Sequence, residues 1–321
     1  MSQDVLVVIE HLRGEVAEIS YVMLAAARTL ADGLGGRVIA VLLGQTAQRL
    51  AEDLAADEVL YIEHPGLAEF TPEGYQKTLE RVVRDRKPRV LLMGSTSIGS
   101  DVASVLSARL QLALISSCRS VSAEGKIFSQ ICGGKIMAET ALPETTTLIT
   151  MVPGGHPAEA GHSTQAPALT TLAAPALEGI RVSLKQYFEP EAGDVDISRE
   201  PILVAIGRGI QNGDNVELAQ GLADALGGAV CGSRPVVDQG WLPASRLVGK
   251  SGKRVKPKMY LALGISGAPE HVEAVTQAEV LLAVNTDAAA PIFNVARYGS
   301  THDLFELVPA LTAAIQKAKA A

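Results

Sequence analysis

Short apolar, β-favouring runs alternate with stretches of helical spacing along most of this chain, and that alternation constrains the fold more than any other feature. The first run spans Asp4 to Ile9. Glu15 to Leu34 then places Val16, Ile19, Val22, Met23, Ala26 and Leu30 on one helical face, and Gly35-Gly36 ends it as glycines do just past a helix. Strands over 37–43, 58–62 and 89–94 follow, interleaved with helices over 47–54, 71–85 and 99–110. Strand alternating with helix predicts a mostly parallel sheet with right-handed crossovers. At 321 residues the chain exceeds one typical core, so two domains are expected.

The texture changes between Ile115 and Met151. Ile127 to Ile131 and Thr145 to Met151 are short β-favouring runs punctuated by Gly133-Gly134 and Pro143, which predicts an antiparallel extension of the sheet. Residues 153–175 are rich in Pro, Gly, Ala, Ser and Thr and read as loop. Glu178 to Lys185 reads as one more strand closing the first sheet, and the charged connector Asp194 to Glu200 places a boundary near residue 195. The expected domains are therefore 1–195 and 196–321. Gly94-Ser-Thr-Ser-Ile-Gly-Ser-Asp101 lies at a strand's carboxyl end before a helix and could cradle a phosphate. The preferred reading is plainer: Ser95, Thr96 and Ser100 cap the helix and fill the turn.

In the second half, Pro201 to Ile206 is a strand and Asn215 to Leu226 a helix. Between them, Gly207-Arg-Gly-Ile-Gln-Asn-Gly213 has the form G-x-G-x-x-x-G, and no acidic residue closes the next strand, so it is not a dinucleotide fingerprint. Arg208 reads as structural or interfacial. Met259 to Leu263 is a buried strand, Gly264-Ile-Ser-Gly267 a small-residue turn, and a helix begins at Ala268 with Pro269 in its first turn. Such a strand, turn and helix N-terminus make an anion site. Val280 to Val284 is the next strand and stops at Asn285-Thr-Asp287, polar groups at the edge where open α/β sheets bind ligands.

Composition excludes several classes. A net charge of −7 with 4% aromatic residues argues against nucleic-acid binding. No apolar run approaches the roughly 20 residues needed to cross a bilayer. Cys118, Cys132 and Cys231 have no metal-ligand spacing and read as small buried hydrophobes; His156 and His162 lie in a loop without a third ligand. With no basic leader or transit segment at its start, the chain as given reads as cytoplasmic or already processed.

Several separate motifs then fall in one order: Cys231-Gly-Ser-Arg-Pro-Val-Val-Asp238, Val248-Gly-Lys-Ser-Gly252, Gly264-Ile-Ser-Gly-Ala-Pro-Glu-His271, Asn285-Thr-Asp287 and His302-Asp-Leu-Phe305. In that order and at those spacings, the last third of the chain resembles the electron-transfer flavoprotein α subunit. The resemblance implies a nucleotide α-hydrolase-like N-terminal domain and a Rossmann-like C-terminal domain holding one FAD in a heterodimer with a β subunit. It implies that Arg234 is the cation over the flavin ring, raising the potential by stabilising negative reduced states. It implies that the Ser251 hydroxyl reaches flavin N5, and that Ser266 with the N–H groups of Gly267 and Ala268 binds the pyrophosphate. His271 would donate to the flavin C2 carbonyl; Asn285 and Asp303 would bond the adenosine half, with Asp287 as a helper. Four positions depart from the family's usual residues: Lys250 replaces glutamine, Pro269-Glu270 replaces Ile-Gln, and Arg297 replaces aspartate. Lys250 and Glu270 still belong to the candidate cofactor set.

Three functions remain open at this point. The first is an electron carrier that takes electrons from flavin dehydrogenases and passes them to a quinone-linked oxidoreductase, with no catalytic residues of its own. The second is a subunit of an electron-bifurcating, NADH-oxidising flavoprotein complex. The third is a scaffold that has lost FAD through Pro269, Glu270 and Lys250.

Overall fold

The computed structural model describes residues 2–132, 136–187 and 195–320. Gly133, Gly134 and Asp194, which carry parts of the sequence expectations, lie outside them. The chain divides into two compact units, Met1–Tyr187 and Phe188–Ala321.

In the first unit, β1 (Val5–Val8) leads to a hairpin, β2 (His11–Leu12) and β3 (Glu15–Val16), and then to α1 (Glu18–Leu34). The helix starts later than its apolar spacing suggests because Glu15 and Val16 pair back onto Leu12 and His11 across the turn at Arg13-Gly14. Its C-terminus behaves as expected, with Gly35 at φ 67 donating its N–H to the Ala31 carbonyl. Next come β4 (Val38–Gly44), β5 (Glu58–Glu63), α2 (Pro72–Arg86), β6 (Val90–Gly94) and α3 (Ser97–Leu110). Residues 47–54 form only a 3-10 turn, Gln48–Ala51, rather than a helix. The unit continues with β7 (Ala113–Val121), β8 (Lys126–Ile131), β9 (Ile136–Ala141), β10 (Thr147–Met151) and β11 (Ala168–Ala173).

These strands join in the order β11-β5-β4-β1-β6-β10-β7-β8-β9. Pairing is parallel from β11 through β7 and antiparallel only at β7–β8 and β8–β9. Two expectations are corrected here. Thr147–Met151 is not part of the antiparallel extension; it inserts parallel between β6 and β7, where all five residues are buried. The strand that closes the sheet is Ala168–Ala173, not 178–185. It pairs along the full length of β5, which removes the edge that 178–185 would have needed. Buried on both faces, β1 and β4 need continuous apolar runs. Alternate side chains of β1 pack under α1 on one face, with Met23 and Leu30, and under α2 and α3 on the other, with Leu79 and Leu106.

The second unit runs β12 (Ile202–Ile206), α4 (Val216–Leu226), β13 (Ala229–Gly232), α5 (Arg234–Asp238), β14 (Met259–Leu263), α6 (Pro269–Val272), β15 (Val280–Val284), β16 (Tyr298–Ser300) and α7 (Leu304–Ala320). Its sheet is parallel throughout, in the order β13-β12-β14-β15-β16. One face packs against α4 and α7 through Ala219, Leu222, Leu304 and Val308. The other packs against connecting segments through Ile197, Val255, Val275 and Ile292. The helix expected from Ala268 is a single turn, because the Ala274 carbonyl accepts from Val255 N–H and the chain then turns into β15. The chain leaves β12 toward β13 on one side and returns to β14 on the other, so strand order reverses between β12 and β14. Among the described residues, no helix is long and apolar enough to cross a membrane.

Candidate functional site

The reversal between β12 and β14 opens a crevice at their carboxyl ends, where open α/β sheets place ligands. The two turns that form it touch closely: Gly209 N–H donates to the Gly264 carbonyl, and a Cβ on Gly209 would lie 2.6 Å from Gly264 Cα. Gly264 itself sits at φ 63 and Gly267 at φ 88, left-handed conformations that side chains resist. A Cβ on Gly267 would also fall 2.3 Å from the Ile292 nitrogen. Strand and glycines are adjacent in the chain, so this turn is legible in the sequence.

The crevice encloses a cavity of about 660 Å³, within the usual range of ligand pockets. Arg234, Lys250, Ser251, Ser266, Gly267, Ala268, Glu270, His271 and Asn285 all line it, brought together from four separate segments. Asp303 does not. Its carboxylate accepts from Phe305 N–H at 2.9 Å and caps α7, which is the use a helix start makes of an aspartate. Asp287 likewise serves a turn, accepting from Ala289 N–H.

Ile265, Ser266, Gly267 and Ala268 present four consecutive backbone N–H groups with no hydrogen bond to another described residue. A run of unpaired donors at a cavity wall is an anion seat. With α6 only four residues long, these donors rather than a helix dipole supply the attraction. Arg208, expected from the sequence to be structural or interfacial, adds a cation. It lines the cavity, is exposed, and forms no ion pair among the described residues. Its signal was its place, directly after a buried strand and beside the glycine that touches Gly264. Glu270 is exposed at the cavity and pairs with neither Lys250 nor Arg234; only the backbones meet, Lys250 N–H donating to the Glu270 carbonyl at 2.8 Å. Three cations thus face one carboxylate.

Arg234 is held at both ends. Its Nε donates to Asp238 at 2.6 Å and its Nη1 to Ser251 Oγ at 3.3 Å. Since Ser251 Oγ accepts there, its own proton remains free to donate into the cavity. His271 is 6% exposed. The Val248 carbonyl can only accept, so His271 Nδ1 carries the proton toward it at 3.2 Å, and Nε2 accepts from the Tyr260 hydroxyl at 2.9 Å. Burial pushes the imidazole pKa down to about 4, so the ring is neutral near pH 7. The neutral ring's one proton goes to Val248. Asn285 spends its amide on the Ile265 carbonyl and its oxygen on Asp287 N–H, which fixes the turn at the cavity rim.

Four free N–H groups, three cations and an apolar wall of Val248 and Ile265 suit a dinucleotide with a negative diphosphate and a flat ring. Residues 196–276 match the electron transfer flavoprotein FAD-binding domain, and residues 5–177 match the electron transfer flavoprotein domain. The chain belongs to the electron-transfer flavoprotein α-subunit family. It is 34% identical to an electron transfer flavoprotein subunit alpha of Thermoanaerobacterium thermosaccharolyticum, over 99% of both chains. It is 33% identical to an acryloyl-CoA reductase electron transfer subunit beta of Anaerotignum propionicum, over 99% of this chain and 96% of that protein. Protein FixB of Clostridium saccharobutylicum is 35% identical over 95% and 93%. As a member of this family the chain is an electron-transfer flavoprotein α subunit, and its cofactor is FAD.

The other candidates in this flavoprotein subunit have structural uses. Thr96 Oγ1 accepts from Gly99 N–H and caps α3, as expected of the Gly94–Asp101 turn, and it also donates to the buried Glu10 carboxylate. Burial raises the Glu10 pKa against the lowering effect of Thr96 and Gly94. Cys118 and Cys231 are buried thiols pushed up to about 12 by desolvation, but Cys132, at the exposed end of β8, is not buried. His156 accepts from Val121 N–H and His162 pairs with Asp53. Among the described residues, no group of three His, Cys, Asp or Glu side chains could hold a metal.

Proposed function

We propose that residues 196–321 form the FAD-binding domain and 1–195 a scaffold domain, and that FAD is held in the crevice between β12 and β14 with a β subunit completing the site. Electrons then pass from flavin dehydrogenases through this cytoplasmic heterodimer to a quinone-linked oxidoreductase, with no chemical step catalysed by the chain itself. What carries the reading is the run of free N–H groups at Ile265–Ala268, set beside Arg208 in one cavity.

Bound FAD supplies the electron chemistry; the chain supplies position and field. Ser266, Gly267 and Ala268 hold the diphosphate through their N–H groups, with Arg208 neutralising it. Arg234 would face the ring and favour whichever state carries more negative charge, because a nearby cation lowers that state's energy. Ser251 donates its free proton toward the ring. His271 forms a neutral wall, and Lys250 and Glu270 sit at the rim, where their opposite charges offset each other's field. Asn285 shapes the end nearest the adenosine; Asp303 reaches that half only if the cap of α7 opens.

The purified complex should be yellow, with flavin absorbance that bleaches on reduction by a dehydrogenase and its substrate. A colourless complex after mild purification, not restored by added FAD, would defeat the reading. A second reading is that the chain serves a bifurcating, NADH-oxidising complex; one relative is named as an electron transfer subunit of a reductase, acryloyl-CoA reductase. Bleaching by NADH alone separates the two.

A further inference from the structure

Arg234 opens α5 and Asp238 closes it, four residues apart and joined at 2.6 Å. That order does nothing for the helix. A cation at the N-terminal end and an anion at the C-terminal end both oppose the helix dipole, and the stabilising order for such a pair is acid before base. The side chains are 60% and 55% exposed, where an ion pair contributes little to stability. Stability therefore does not account for the contact. Its geometry does something else. A guanidinium is planar with its donors at fixed angles, so anchoring Nε on Asp238 aims Nη1 at Ser251, on the connection between α5 and β14. Asp238 does not line the cavity, whereas Arg234 and Ser251 both do.

We propose that Asp238 is a positioning residue for electron transfer: it clamps the Arg234 guanidinium toward the flavin ring and, through it, orients the Ser251 hydroxyl. This rests on the reading that Arg234 faces the bound FAD. Asp238 then has two opposed effects on the flavin potential. Its negative charge lowers the potential by partly cancelling Arg234, and its grip raises the potential by holding Arg234 in place. Substitutions separate them. Asp238→Asn keeps an oxygen that accepts from Nε while removing the charge; Asp238→Ala removes both.

The test is a spectroelectrochemical titration of the complex at saturating FAD, for wild type, Asp238→Asn, Asp238→Ala and Arg234→Ala, with FAD dissociation followed by fluorescence. The expected result is an upward shift in Asp238→Asn and a downward shift in Asp238→Ala, toward the Arg234→Ala value. FAD release should also be faster in Asp238→Ala and restored in Asp238→Asn. Upward shifts of equal size in both Asp238 variants would mean that charge alone acts, and would overturn the proposal. A fall in Arg234→Ala with Asp238→Ala unmoved would also overturn it while leaving the role of Arg234 intact. An unmoved Arg234→Ala would remove both, and a colourless wild type would remove the FAD reading itself.

Discussion

The two parallel sheets of this chain differ most at their carboxyl edges. At the edge of the first, Glu10 carries its carboxylate to Gly94 N–H at 3.2 Å and to the Thr96 hydroxyl at 2.8 Å, and Thr96 caps α3 in turn. Two of the donors there, Gly94 N–H and Gly99 N–H, are answered by the protein's own side chains, and a buried carboxylate stands at the turn. At the edge of the second, glycines replace such side chains, and four backbone N–H groups have no partner among the described residues. The same architecture therefore sets a buried carboxylate at the edge of one unit and free N–H groups beside Arg208 at the edge of the other. Binding follows from the charge and the donors that the edge presents, not from the sheet.

That contrast is open to direct attack. The largest expected effect is on the first core: Leu30→Ala, at a fully buried position, should destabilise the first unit by about 2–5 kcal/mol in urea unfolding. FAD affinity at fixed folded fraction should stay as it was; a lost cofactor would show that the units are not independent in this respect. Gly267→Val should do the reverse. A branched side chain at φ 88, forced against Ile292, should weaken FAD binding by roughly 100-fold, about 3 kcal/mol, while the first unit unfolds as in wild type.

Acid sharpens the comparison because one buried group in each unit is shifted, and the two shifts have opposite signs. His271 has a folded pKa of about 4 against an ordinary value of 6.5. Its contribution is complete above 6.5 and is lost as pH falls toward 4, up to about 3 kcal/mol. Glu10 is raised above its ordinary 4.5. Its contribution is complete below 4.5 and is lost as pH rises through the folded value. Unfolding free energies against pH for His271→Gln and Glu10→Gln should therefore depart from wild type in opposite directions; parallel departures would contradict the geometry. The smallest expected effect is at the rim of the seat. Arg208→Ala should raise the FAD dissociation constant roughly tenfold, about 1.5 kcal/mol for a charged hydrogen bond, with a shallower salt dependence. No change would place its guanidinium outside the diphosphate's reach.

Much of the fold was legible. Strands buried on both faces must be continuously apolar, so β1, β4, β6, β12, β14 and β15 stand out in the sequence, and Gly35 marks the end of α1. The glycine turn after β14 was legible because its parts are contiguous. Thr147–Met151 was misplaced because its run of β-favouring residues does not say which two strands will flank it. The pairing of Ala168–Ala173 was hidden by its small, partly exposed residues, since an edge strand needs little apolar surface. Asp303 and His271 were read by position in a motif, but their partners are decided elsewhere: a capped helix start for one, and a carbonyl 23 residues away for the other.

The sequence by itself determined the α/β class, the family and the segments that meet at the crevice, because apolar periodicity and glycine turns are local properties of the chain. Only the tertiary structure decided which donors at the crevice stay free, where the proton of His271 points, and that Arg208 joins the cavity while Asp303 does not. Hydrogen-bond satisfaction is a matter of which distant groups arrive within about 3 Å, and no stretch of sequence contains that distance.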